Sequence, residues 1–134
     1  MAAFPAIEEL VPHRGSMLFL DKVISYDASS LVAQATVQPD AWYLDEAGAM
    51  PAWIGIELMA QAAAAFAGLE ARARGLPPRR GMLVGCRSYR AGSPALSGVL
   101  EVKASRTATD ESGFSLFECS VAGQVTGTIQ VLIQ

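Results

Sequence analysis

Histidine is almost missing from this chain: His13 is the one copy in 134 residues. Cysteine is nearly as scarce, with Cys86 and Cys119 far apart and no CxxC pair. Ordinary zinc sites need several such ligands at short spacing, so no metal is expected. Each cysteine sits in an apolar run, which reads as a buried free thiol in a reducing compartment rather than half of a disulfide. Charge is also thin, at 17% against about 25% in an average soluble protein. With 51% apolar residues, the chain is too apolar to stay disordered. A basic surplus is absent as well. The net charge of −3 excludes a nucleic-acid binder built on phosphate contacts. The first ten residues lack a basic stretch and carry Glu8 and Glu9, so they do not read as a secretory signal, and a cytoplasmic protein is expected. Only residues 50–69 approach membrane-span length. Glu57 and Gln61 lie well inside that stretch, and an ionised carboxylate in lipid costs several kcal/mol, so no membrane insertion is expected.

The chain has the length of one domain, assigned to residues 1–134, and no repeat or low-complexity linker divides it. A short helix is predicted from Pro5 through Ile7 and Leu10 to the stop at Pro12. Strands are predicted over Met17–Ser25 and Leu31–Val37, joined across Asp27–Ser30. Pro51 opens a long helix that runs to about Arg74, where Gly75, Pro77 and Pro78 end it. Beyond it the apolar period changes to two, giving strands around 82–88, 100–105, 117–121 and 129–133. Six strands and one helix apolar on almost every side imply an α+β domain, with an antiparallel sheet wrapped around a buried central helix.

Within that helix, Glu57 and Gln61 are the polar side chains between Met50 and Leu69. Their i, i+4 spacing puts them on one face, about 6 Å apart. An unpaired carboxylate carried into an apolar interior has its pKa raised, which makes Glu57 a candidate proton donor. The alternative is a glutamate satisfied by Gln61 or a backbone amide. The first amides of the helix, near Ala52 and Trp53, carry the partial positive charge able to polarise a carbonyl oxygen. From 72 to 90 the sequence holds six arginines (Arg72, Arg74, Arg79, Arg80, Arg87 and Arg90) and no acid, leaving four basic against thirteen acidic residues elsewhere. This segment is either a solvated helix end and loop or a docking site for an acidic partner or a phosphate-bearing arm.

Two motifs carry a family resemblance. The segment Pro12-His13-Arg14-Gly15-Ser16-Met17-Leu18-Phe19-Leu20-Asp21-Lys22-Val23 resembles the N-terminal motif of the 3-hydroxyacyl-(acyl carrier protein) dehydratases. Pro51-Ala52-Trp53-Ile54-Gly55-Ile56-Glu57-Leu58-Met59-Ala60-Gln61 resembles their helix motif. The wording of the second, and of Gly81-Met82-Leu83-Val84-Gly85-Cys86-Arg87-Ser88-Tyr89, is similar to the dehydratase-like proteins of aryl-polyene and related polyketide clusters. The resemblance implies a hotdog fold and a homodimer or heterodimer with another hotdog dehydratase, its active sites at the subunit interface. It also implies a hydro-lyase acting on thioesters held by an acyl carrier protein, with no cofactor beyond the phosphopantetheine arm of the substrate.

By the same resemblance Glu57 matches the family's helix glutamate, which handles the departing hydroxyl. Gln61 matches the glutamine after it, and Ala52 replaces a glycine whose surroundings polarise the thioester carbonyl. The family's catalytic histidine does not carry over, because Tyr43 stands at its position. A tyrosine with pKa near 10 needs about 4 kcal/mol to become phenolate at pH 7, so it is a poor base unless strongly tuned. Asp45, two residues on, is a second candidate base. His13 belongs to the N-terminal motif, structural in the family, and ranks last. Trp53 is expected to reshape the acyl tunnel. Three functions follow: a dehydratase, a dehydratase-like partner subunit that has lost its base and pairs with an active homologue, or a hotdog thioesterase using the same Glu57. The arginine segment is the expected landing place of the carrier.

Overall fold

A computed structural model describes residues 4–77 and 81–133. Six strands, β1 (Leu20–Tyr26), β2 (Ser30–Thr36), β4 (Gly81–Ala91), β6 (Val99–Thr109), β7 (Phe114–Val121) and β8 (Val125–Ile133), form one antiparallel sheet in the order β1-β2-β6-β7-β8-β4. The period-two patterning works as expected. Leu31, Ala33 and Ala35 of β2 point inward, as do Leu100, Val102 and Ala104 of β6 and Val125, Ile129, Val131 and Ile133 of β8. The predicted join at Asp27–Ser30 is an Asp turn: Asp27 Oδ1 accepts from the Ser29 and Ser30 amides, both at 2.9 Å. The first strand starts later than the sequence suggests, because Gly15–Met17 is a single 3-10 turn opened by Gly15 at φ +59°. A two-residue ladder, β3 (Met50–Pro51) with β5 (Ala95–Leu96), had no signal in the apolar pattern.

The long helix α1 spans Gly55–Ala73, after a 3-10 turn at Ala52–Ile54. Pro51 therefore closes the short ladder, and the α-helical bonds begin four residues later. The end is a Schellman motif: Gly75 sits at φ +67°, its N–H donates to Arg72 O at 3.1 Å, and the Leu76 N–H donates to Ala71 O at 2.9 Å. Leu58, Met59, Ala62, Ala65 and Phe66 pack fully buried against the sheet, with the Phe66 and Phe117 rings edge-to-face at 5.5 Å. This is the one described helix long and apolar enough to cross a membrane, and it is the core helix here.

The helix is not covered on every side as the sequence implied. Glu57, Ala60, Ala64 and Gly68 form a half-buried stripe, which the N-terminal segment crosses as a strap. At Gly68 an added Cβ would stand 2.5 Å from the Leu10 carbonyl oxygen, so only glycine lets the strap lie this close.

Candidate active site

The strap and the helix together build the site. Gln61 is fully buried and grips the chain after the strap: its Oε1 accepts from the Phe19 N–H at 2.9 Å and its Nε2 donates to Met17 O at 2.7 Å. Upstream, Leu10 rests on Gly68. Between these anchors the chain brings His13 back to the helix, with Nε2 3.5 Å from Glu57 Oε1. Gln61 Nε2 approaches the same Oε1 at 3.4 Å. The His13 Nδ1 atom is buried without a hydrogen-bond partner among the described residues, so Nε2 is the atom the ring offers to Glu57.

Of the two sequence readings of Glu57, the unpaired carboxylate in a dry interior does not hold, and the approach of Gln61 agrees with the other. The Glu57 side chain keeps 35% of its surface exposed and faces an imidazole. Beside the pair lies a cavity of about 140 Å³ lined by both residues, by Ala60, Ala63, Ala64 and Ala67, and on the other wall by Met82, Leu83, Val131 and Ile133. From Glu57 to Ala67 the helix rises about 15 Å at 1.5 Å per residue. Alanines on the helical wall leave a slot where larger side chains would close it. The arrangement offers two proton-carrying groups at the head of an apolar slot, which suits acid–base chemistry at the polar end of a hydrocarbon chain.

The other candidates lie elsewhere. Tyr43 is buried against Phe19 and Trp42, at ring separations of 5.5 and 5.7 Å, and it lines a different depression with Asp21 and Thr36. Burial pushes its phenol above the ordinary value, although a hydrogen bond with the Gln38 backbone works the other way. Asp45 is exposed and closes its own turn, Oδ1 accepting from the Ala47 and Ala49 amides at 2.9 Å each. The Ala52 N–H donates to Pro94 O at 3.0 Å, so that amide is engaged within the fold. Trp53 is 62% exposed and does not line the slot.

Arg72 at the helix end pairs with Glu9 at 3.6 Å. Arg74 lines a depression beside Glu70, Arg106 and Asp110. Arg87 reaches Gln130, whose amide, turned to present its oxygen, accepts from Nε and Nη2 at 2.7 Å each. Arg90 lines another depression with Lys103 and Glu118. Arg79 and Arg80 lie outside the described residues. Among the described residues no cluster of His, Cys, Asp or Glu forms a metal set. Cys86 and Cys119 are free thiols, and burial pushes Cys119 up to about 12.

Sequence reasoning passed over Arg14, Gly68 and Tyr89. The Tyr89 hydroxyl donates to Ala52 O and lies where a Cβ on Gly55 would come within 2.6 Å of it. Glycines inside a helical pattern were the available signal, because Gly55 and Gly68 each mark a close approach.

A single sheet curled over one long helix, with an acid-bearing slot along that helix, defines a hotdog-fold protein. Solved structures share this architecture. A hypothetical thioesterase protein from Streptococcus pneumoniae TIGR4, solved with coenzyme A, matches at TM-score 0.63 and 13% identity over 84% of each chain. A thioesterase family protein from Silicibacter pomeroyi matches at 0.62 and 10%, over 84% of this chain and 82% of that one. These identities speak for the fold alone. The dehydratase heterocomplex ApeI:P from Xenorhabdus doucetiae matches at TM-score 0.89 and 30% identity, over 98% of this chain and 92% of that one. A family model described as ApeP-like, ApeP dehydratase, matches residues 5–133. The chain belongs to the ApeP-like dehydratase family, and its function is dehydratase-like, within aryl-polyene biosynthesis. No curated protein matches it in sequence.

Proposed function

We propose that the chain removes water from 3-hydroxyacyl thioesters carried by an acyl carrier protein, with His13 and Glu57 as its acid–base pair. The observation that carries this reading is the 3.5 Å approach of His13 Nε2 to Glu57 Oε1 at the head of the alanine-lined slot. In the reactive form the pair's one proton is on Glu57. Neutral His13 takes the α-proton while Glu57 protonates the 3-hydroxyl, which leaves as water as the Cα–Cβ double bond forms. His13 is then protonated and Glu57 ionised, and transfer of the proton across the pair restores the starting state. The carrier supplies the phosphopantetheine arm as part of the substrate, and the arginines of 72–90 remain its proposed landing place. Free Cys86 and Cys119 fit a reducing, cytoplasmic setting.

The test is enoyl-thioester formation from a carrier-bound 3-hydroxyacyl substrate. A well-placed acid or base contributes about 10²–10⁴-fold, so Glu57→Gln and His13→Gln should each lose activity on that scale. Tyr43→Phe and Asp45→Asn should stay within a few-fold. A Tyr43→Phe variant as inactive as Glu57→Gln, with His13→Gln unaffected, would move the base to Tyr43. Free acid in place of the enoyl thioester would move the chain to the thioesterases.

One observation favours a second reading, in which a second hotdog dehydratase completes the active unit. The Xenorhabdus relative is a heterocomplex, and here the edge strand β4 exposes Met82, Leu83 and Val84 beside the slot. A partner seated on that edge would extend the sheet and close the slot's open wall. Full activity of the chain alone, with no gain on adding a second hotdog chain, would overturn this reading.

A further inference from the structure

The last apolar anchor before His13 is Val11, buried in the core, and beyond it the strap has no buried apolar residue until Phe19. Pro12, Arg14, Gly15, Ser16 and Met17 are all exposed, and His13 is half-buried. The neighbouring anchors, Leu10 on Gly68, buried Val11 and Gln61 on Met17 and Phe19, flank this bend. The Arg14 guanidinium ties the bend itself. Its Nη1 donates to Val11 O and to His13 O, both at 2.7 Å, and its Nη2 donates to Glu8 O at 2.7 Å. Among the described residues no carboxylate pairs with Arg14, the cations in ion pairs being His13, Arg72 and Arg106. Three of the fork's five N–H donors are thus engaged by carbonyls, one of them belonging to His13 itself.

We propose that Arg14 is a positioning residue: by gathering the carbonyls of Glu8, Val11 and His13, it holds the strap in the bend that sets the His13 imidazole against Glu57. This rests on the reading of His13 and Glu57 as the reacting pair. The physical reason is geometric. Three carbonyl dipoles converging on one point repel each other, and a charged, planar donor fork satisfies all three at short range. Arg14 itself is extended, at φ −144° and ψ 157°, and Gly15 at φ +59° turns the chain toward the Gln61 clamp. The direction of the imidazole is therefore set at the residue after it. A lysine ammonium carries the same charge but not the planar fork, so charge alone is not sufficient.

Because His13 is the one histidine in the chain, its ring signals in an NMR spectrum need no assignment by mutation. The experiment compares the wild-type chain, Arg14→Met, Arg14→Lys and His13→Gln, each with any hotdog partner with which it purifies. The readouts are nuclear Overhauser effects from the His13 ring to the Glu57 methylenes, and kcat and KM for a carrier-bound 3-hydroxyacyl substrate. Displacing a reacting group by about 1 Å costs on the order of 10²-fold. Arg14→Met should therefore lose the ring-to-Glu57 effects and drop kcat by roughly 10–100-fold, with KM within about twofold because the alanine wall and the facing strand wall that hold the acyl chain are unchanged. Arg14→Lys, which keeps a donor and is the variant to read if Arg14→Met does not fold, should show the same losses.

A folded variant that retains both the ring contacts and wild-type kcat would overturn the proposal, as would a loss confined to KM. A fully active His13→Gln would instead sink the chemical reading and leave the ring contacts to judge Arg14. An impaired His13→Gln beside an unimpaired Arg14→Met would sink the positioning role alone.

Discussion

Replacing Gln61 with methionine separates a structural clamp from a substrate contact. Methionine is unbranched and of similar length, so the fully buried site stays filled while the amide is removed. Three hydrogen bonds go with it, one from the Phe19 N–H at 2.9 Å, one to Met17 O at 2.7 Å and a longer one to Glu57 Oε1 at 3.4 Å. The Phe19 amide lies in a buried pairing, and a buried donor left without a partner costs about 1–3 kcal/mol. The Met17 carbonyl belongs to an exposed residue and recovers water, so its loss is nearer a net hydrogen bond, about 0.5–1.5 kcal/mol. The bonds to Phe19 and Met17 together give a destabilisation of about 1.5–4.5 kcal/mol. Urea unfolding at fixed protein concentration reads it as a lower midpoint with an unchanged slope, since the surface exposed on unfolding is the same. If Gln61 served substrate instead, stability would hold and KM would rise. A loss below about 0.5 kcal/mol would refute the clamp, because no buried donor would then have been left unpaired.

Gly55→Ala places a Cβ 2.6 Å from the Tyr89 hydroxyl and 3.2 Å from a Val125 methyl. It should lower stability by about 1–3 kcal/mol, and adding Tyr89→Phe should cost less than the two changes separately, as seen in a double-mutant cycle of thermal melts. Arg106 holds Glu70 through both guanidinium nitrogens, one at 2.9 Å, and stacks 4.8 Å over Phe66. Arg106→Met should cost about 2–3 kcal/mol in urea unfolding, below the figure for a fully buried pair because both side chains keep some exposure. Cys119 should resist a thiol reagent in the native chain and react on unfolding, because burial holds its pKa at about 12 against an ordinary 9.0. Above pH 9 the unfolded thiol loses its proton while the folded one keeps it, so this group's contribution to stability falls as pH rises from about 9 toward 12. Rapid native labelling at pH 8 would contradict that burial.

Much of the architecture followed from local pattern. Alternation in β2, β6, β7 and β8 set which side chains face the helix, and a long apolar run closed by Gly75 and two prolines could form little other than the core helix. The i, i+4 spacing likewise placed Glu57 and Gln61 on one face, since helical geometry is periodic and short-ranged. Periodicity fails where the chain is irregular. The 3-10 turn at Gly15–Met17 and the ladder of Met50–Pro51 with Ala95–Leu96 were missed for that reason.

What the sequence determined by itself was the sheet, the helix and the presence of an acid within it, because each depends on the spacing of neighbouring residues. Only the tertiary structure decided which groups meet that acid. His13 lies 44 positions from Glu57 and reaches it through a strap that crosses the helix at Gly68, while Tyr43 and Asp45, much nearer in the chain, turn to other partners. That choice depends on which backbone can approach the helix and which carbonyls Arg14 and Gln61 gather. No spacing rule along the chain encodes contacts of that kind, since they exist only once the distant segments have packed.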